Sequence, residues 1–215
     1  MFAYFIAIDQ FVTVARKMEG RFEMKKTMKS IALVSGSLTF AGVILYSKLS
    51  WHFLLPITIT SGTIFYHMAV RLLIGFLFDS FLDNQTDVHR KWYQVSTCEL
   101  AKYEKIGVKN WKQKMPTYDT ESFDHTMHSW GEIAKATCQA ELVHECNMIV
   151  SFVPLFFSIW FGAFPVFLVT SILAALYDSL FVIMQRYNRP RILRLVDKEL
   201  RRANRRERNL SNEKM

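Results

Sequence analysis

The chain has 215 residues, is 51% hydrophobic and still carries a formal net charge of +8. Apolarity and charge are segregated: residues 31–47, 51–70 and 148–177 contain no Asp, Glu, Lys or Arg. Such runs argue against a soluble all-α core, whose helices carry about 10 to 14 apolar residues, and fit spans of roughly 20 residues that cross hydrocarbon. The three cysteines, Cys98, Cys138 and Cys146, are odd in number and form no CxxC pair, so they indicate neither a disulfide framework nor a zinc site.

In chain order, residues 1–30 form a basic N-terminal segment. Its start, MFAYFIAIDQFVTVA, lacks the basic region and small-residue cleavage site of a signal peptide, and Asp9 interrupts it. An interfacial helix is the expectation there. Residues 31–82 supply two transmembrane helices, and residues 83–147 a cytoplasmic segment at the membrane surface. Residues 148–184 are too long for one crossing. Pro154, Pro165 and the Phe161-Gly162-Ala163 step divide them into a hairpin whose first arm is only partly inserted. Residues 185–215 form a basic tail. Because backbone polar groups in lipid must be satisfied internally, the expected fold is an all-α integral membrane protein with about four membrane-inserted helices.

Lys and Arg fall in three blocks: six at 16–29, eight at 83–147 and eleven from Arg186 onward. The connections near residues 48–53 and 161–164 hold only Lys48. The positive-inside rule then places both termini and the central segment in the cytoplasm. The tail stretch RRANRRERN, beside a membrane helix, points to anionic lipid headgroups as its partner rather than to nucleic acid.

Within the central segment, YEKIGVKNWKQKMP (103–116) interleaves Ile106, Val108, Trp111 and Met115 with lysines. That mixture suits the headgroup zone, where indole and lysine stems both find a place. HSWGEIAKATCQAELVHECNMIV (128–150) reads as a helix capped by Ser122 or Asp124 and running directly into the next apolar segment. Glu141 and His144, three apart, share a helical face. A carboxylate on one ring nitrogen would fix the imidazole tautomer and leave the other nitrogen to take a proton from a hydroxyl. Glu141, His144 and Glu145 also invite a metal reading, to which His125, His128 and Glu132 could add ligands, but HExxH is absent and no metal site is assigned. GxSxG, P-loop and GxGxxG signatures are also absent.

Three stretches, KNWKQKMP (109–116), KATCQAELVHE (135–145) and MQRYNRPRILRL (184–195), together resemble the motifs of the glycosyl-4,4'-diaponeurosporenoate acyltransferase family. These are small bacterial membrane proteins linked to the last step of staphyloxanthin-type carotenoid synthesis. The resemblance implies transfer of a fatty acyl group to a hydroxyl of a membrane glycolipid, in the cell membrane. By position, Trp111, Lys112 and Pro116 match the first motif, and Glu141 and His144 the second. Gln185, Arg186, Tyr187, Asn188, Arg189, Pro190 and Arg191 match the third. Two departures stand out: Glu145 follows His144 where the family shows an aromatic residue, and Asp178 stands where an Asn is expected.

The mechanism this suggests makes His144, oriented by Glu141, the base on a sugar hydroxyl, with Lys112 or Arg186 stabilising the oxyanion. Arg189 and Arg191 are expected to hold phosphates of the acyl donor, acyl-CoA or acyl carrier protein. Tyr187 and Asn188 are assigned to sugar hydroxyls, and no bound cofactor is expected. A membrane-embedded metallohydrolase built on Glu141, His144 and Glu145, with His128 as a further ligand, and a non-enzymatic scaffold acting through its basic tail, are the competing readings. Pro190 biases Arg189 away from helix, so a bend is expected there. QRYNRPR, the Glu141–His144 pair and Trp111–Lys112 should then form three walls of one site. Neither the acceptor nor the oligomeric state follows from these residues.

Overall fold

A computed structural model describes residues 24–111, 115 and 121–213. Helix α1 is Met24–Leu49 and α2 is Leu54–Leu82. Two short helices follow, α3 Thr97–Lys105 and α4 Val108–Trp111, and then α5 Trp130–Val150, α6 Pro154–Phe161 and α7 Phe164–Glu213. Single 3-10 turns lie at Lys91–Tyr93 and Glu121–Phe123, and the described residues contain no strand.

Four stretches are long and apolar enough to cross a membrane: Met24–Leu49, Leu54–Leu82, Trp130–Phe161 and Phe164–Asn212. Large side chains such as Phe40, Phe76, Phe81, Ile159, Trp160 and Leu176 face outward on these helices. Around a multi-pass bundle that outward apolar surface meets lipid. Helix α1 begins at Met24, inside the segment read as interfacial, and the third span begins at Trp130, inside the segment read as cytoplasmic. Residues 1–23 lie outside the described residues.

The α1–α2 hairpin closes on small residues, the usual means of close approach where lipid removes the hydrophobic drive between helices. Gly36 faces Phe65, Gly42 faces Thr58, and the Thr39 hydroxyl donates to Ser61 at 3.0 Å. Helix α2 ends at Asp83 and Asn84, both left-handed, a conformation that short Asx side chains tolerate. The Asn84 amide then donates to Gln139 Oε1 at 2.8 Å, and Gln139 Nε2 to Asp79 at 3.0 Å, fastening this corner to α5.

Helix α5 starts about one to two turns later than Asp124 or Ser122 would place it. Ser129 is the cap, with Glu132 completing a reciprocal capping box, while Asp124 closes its own turn through the Thr126 amide. The helix interrupts at Ser151–Val153 and resumes as α6 with Pro154 in its first turn, where a missing N–H costs nothing. Gly162 and Ala163, with φ of 66° and 51°, turn the chain into α7. The expected hairpin is therefore present, with an eight-residue first arm.

The largest correction concerns Pro190. It does not end or break α7, which runs through it as one 50-residue helix. Proline removes one backbone hydrogen bond, and side chains of the turn before it hold the helix in place: Arg186 and Arg189 are both tied into the neighbouring segments.

Candidate active site

Along α7, Asp178 lies 16 residues beyond the Gly162 turn and Arg186 lies 24 residues beyond it. At 1.5 Å per residue these are about 24 Å and 36 Å along the helix. Hydrocarbon is roughly 30 Å thick, so Asp178 sits just inside one boundary and Arg186 outside it. Two polar arrays occupy these two levels.

In the outer array, Glu141 is fully buried on α5 and is gripped by two arginines of α7. Arg186 Nη1 donates to Glu141 Oε1 at 2.6 Å, and Arg189 Nη2 donates to Oε2. Arg189, 1% exposed, also donates to Thr137 Oγ1, the Thr137 carbonyl and the Tyr93 carbonyl. Arg186 spends its remaining donors on Glu99 and on the carbonyls of Trp92 and Gln94. Glu99 in turn accepts from the Tyr103 hydroxyl at 2.5 Å. The Arg186 hydrogen bond holds the Glu99 carboxyl below its usual range, while burial and the Glu99 hydrogen bond push Tyr103 up to about 12. This is a planar, bidentate use of arginine, but its acceptors are inside the protein.

The roles assigned to Glu141, Arg186, Arg189 and Tyr187 change as a result. Glu141 does not orient His144, because both of its oxygens are taken by Arg186 and Arg189. Arg186 is too fully engaged to serve an oxyanion, and Arg189 is sealed away from any donor phosphate. Arg191 bonds the Tyr187 hydroxyl at 2.6 Å and lies 4.3 Å from its ring centroid, so Tyr187, 2% exposed, packs inward rather than reading a sugar. Gln185 is buried, Asn188 is half-buried, and Trp111 is half-buried at the end of α4. Lys112 and Pro116 lie outside the described residues.

In the inner array, His144 Nδ1 meets Asp178 Oδ1 at 2.9 Å. The imidazole stacks on Phe181 with 4.5 Å between centroids and 8° between planes. Asp178 is 1% exposed, and its other oxygen accepts from Arg71 of α2. Arg71 also donates to the His67 and Ala174 carbonyls. Asp178 thus supplies the orientation expected of Glu141, and a carboxylate on Nδ1 fixes the tautomer that leaves Nε2 as an acceptor. Nε2 has no hydrogen-bond partner among the described residues, and the side chain is 19% exposed. Glu145 points elsewhere, accepting from Trp92 Nε1 at 3.0 Å.

Among the described residues, no three His, Cys, Asp or Glu side chains come together as a metal-binding group. The model of the glycosyl-4,4'-diaponeurosporenoate acyltransferase family matches residues 89–198, just over half of the chain. The chain belongs to this family. No curated protein and no solved structure matches it. As a family member the chain is an acyltransferase. The acyltransferase match contains both arginines of the outer array, Glu99, Glu141, His144 and Asp178, while Arg71 comes from the span before it.

Sequence reasoning passed over Arg71, Asp178 as a partner, and Glu99. A signal existed for the first two: each is an isolated charge in an otherwise apolar run, and an ionisable group at membrane depth is a functional candidate by default. Glu99 had none, being one acid among the charges of a surface helix.

Proposed function

We propose that this acyltransferase moves a fatty acyl group from a thioester donor, acyl-CoA or acyl carrier protein, to a hydroxyl of a membrane glycolipid, at the cytoplasmic face of the cell membrane. His144 is the general base. Its Nε2 takes the hydroxyl proton as the oxygen attacks the acyl carbonyl, and the new C–O bond forms as the C–S bond breaks. The imidazolium then returns the proton to the departing thiolate. Asp178 stabilises the imidazolium, and Arg71 holds the other oxygen of Asp178.

The observation that carries this reading is the His144–Asp178 pair near the membrane boundary, where a sugar headgroup and a lipid tail reach the same point. The outer array is the frame that sets α5 against α7. Lys112 remains the candidate for oxyanion or phosphate contact. The basic blocks support a topology with both termini in the cytoplasm.

The test is two-part. Lipid mass spectrometry of cells with and without the protein should reveal an acylated glycolipid that disappears with the gene. His144→Ala protein, folded and inserted, should then fail to restore it. A His144→Ala variant that restores the lipid in full removes His144 from the mechanism.

A further inference from the structure

Below the Arg71–Asp178 pair, toward the membrane centre, lie buried polar atoms without hydrogen-bond partners. They are both ring nitrogens of His67, Asn147 Oδ1 and Ser171 Oγ. His67 is one helical turn from Arg71 on α2, Asn147 is three residues past His144 on α5, and Ser171 is two turns before Asp178 on α7. The connectivity makes α2 and α7 run one way through the membrane and α5 the other, so all three displacements point the same way. Contacts tie the three faces to one locus. Arg71 donates to the His67 carbonyl at 2.9 Å, to the Ala174 carbonyl at 3.3 Å, and to Ser151 Oγ at 3.5 Å. Ser151 Oγ in turn donates to the Asn147 carbonyl at 2.7 Å.

Unpartnered polar groups are costly in hydrocarbon, and buried ones are as a rule satisfied by protein or by ordered water making two to four hydrogen bonds. An imidazole with both nitrogens unpartnered is the strongest case, since one must be a donor and the other an acceptor. The helix backbone can offer further carbonyl acceptors but no free N–H, so it cannot donate to Asn147 Oδ1 or to the accepting nitrogen of His67.

We infer that His67, Asn147 and Ser171 line a water-binding pocket beneath the Arg71–Asp178–His144 array, and that the bound water couples His67 to Asp178, making His67 a positioning residue for the base. This rests on His144 being the base. A donor on the deep side of Asp178 limits how the carboxylate turns, and so fixes which oxygen meets His144 and which meets Arg71. Tyr66 and Arg71 on its own helix, Asp178 on α7, and His144 through Asp178 are the titratable and charged groups that face His67 among the described residues. Helix α1 brings no charge between residues 31 and 47.

His67→Phe and His67→Asn test the coupling, with kcat and KM measured across pH in detergent-solubilised full-length enzyme. Phe fills the space without polar atoms, whereas Asn still bonds water. His67→Phe should lower kcat about three- to tenfold and displace the acidic limb of the pH profile, with KM for both substrates unchanged. His67→Asn should restore the limb. A wild-type profile for folded His67→Phe, or equal losses in both variants with an unmoved profile, overturns the inference. Magnetisation transfer from water to the His67 N–H in the unmutated protein provides a readout independent of folding and of activity. Transfer is expected, and its absence overturns the pocket. If His144→Ala keeps full activity while His67 still contacts water, the functional reading has failed and the pocket has not.

Discussion

His144 and Asp178 meet Nδ1 to Oδ1 at 2.9 Å across α5 and α7, and Arg71 from α2 occupies the other carboxylate oxygen. Two donors require two acceptors, which is a physical reason for a carboxylate at 178. In Asp178→Asn, the single amide oxygen would be drawn to the Arg71 guanidinium, turning the NH2 toward His144. That donor forces the imidazole into the opposite tautomer, with its proton on Nε2, and a protonated Nε2 cannot act as a base. Asp178→Asn should therefore lower kcat by about 10²- to 10⁴-fold, with KM for acceptor and donor little changed. Steady-state kinetics with a thioester donor checks this, and ¹⁵N spectra of the imidazole report the tautomer directly.

Glu141 is expected to matter for the fold rather than for proton transfer. It is fully buried between Arg186 and Arg189. Glu141→Gln leaves Arg189, 1% exposed, without a counter-charge and Arg186 with Glu99 alone. Breaking one side of a buried ion pair costs about 3 to 5 kcal/mol. Thermal unfolding in detergent should show that loss, while whatever fraction remains folded should keep the unmutated pH profile for acyl transfer. A stable Glu141→Gln protein without activity would return Glu141 to the chemistry.

These two residues also show how far the sequence was legible. Charge-free runs announce membrane helices because hydrocarbon penalises every exposed charge, and Phe161-Gly162-Ala163 marks the hairpin because the backbone there turns left-handed. The spacing of Glu141 and His144 correctly places both on α5. It cannot say what each touches, because partners are supplied across helices: Asp178 is 34 residues from His144 in the chain and 107 from Arg71. Local rules also misread Pro190. Its preference against a preceding helical residue is overridden by tertiary bonds on Arg186 and Arg189. QRYNRPR was recognisable as more than a positive flank, but Arg186 and Arg189 turn toward protein carboxylates and Arg191 toward the Tyr187 hydroxyl.

Glu99 gives the outer array a pH signature. Its carboxyl is held below the usual range, chiefly by the Arg186 hydrogen bond and against the opposing effect of burial. A depressed folded-state value means the ionised form adds stability above the unfolded carboxyl value, and that contribution disappears as pH falls through the folded value. Glu99→Gln should accordingly be less stable than the unmutated protein at neutral pH. The two should converge on acidification, once Glu99 is protonated in both the folded and unfolded states. Detergent-phase unfolding midpoints measured from neutral to strongly acidic pH would test this. A gap that stays constant with pH would mean that Glu99 contributes through packing alone.

The first hairpin offers a test remote from both arrays. A Cβ added at Gly42 would lie 2.3 Å from Thr58 Oγ1, 3.2 Å from its Cβ and 3.3 Å from its Cγ2. Thr58 has little room to yield, because its hydroxyl already donates to the Leu54 carbonyl at 2.8 Å. Gly42→Ala should therefore separate α1 from α2 at a cost of about 1 to 3 kcal/mol, the usual range for overpacking. Thr58→Ala removes the two atoms that Gly42→Ala would displace by clash, other than Cβ itself. The double variant should then recover most of the loss, giving a favourable coupling energy in a double-mutant cycle. Additive losses in the two single variants would mean that α1 and α2 do not approach at this pair.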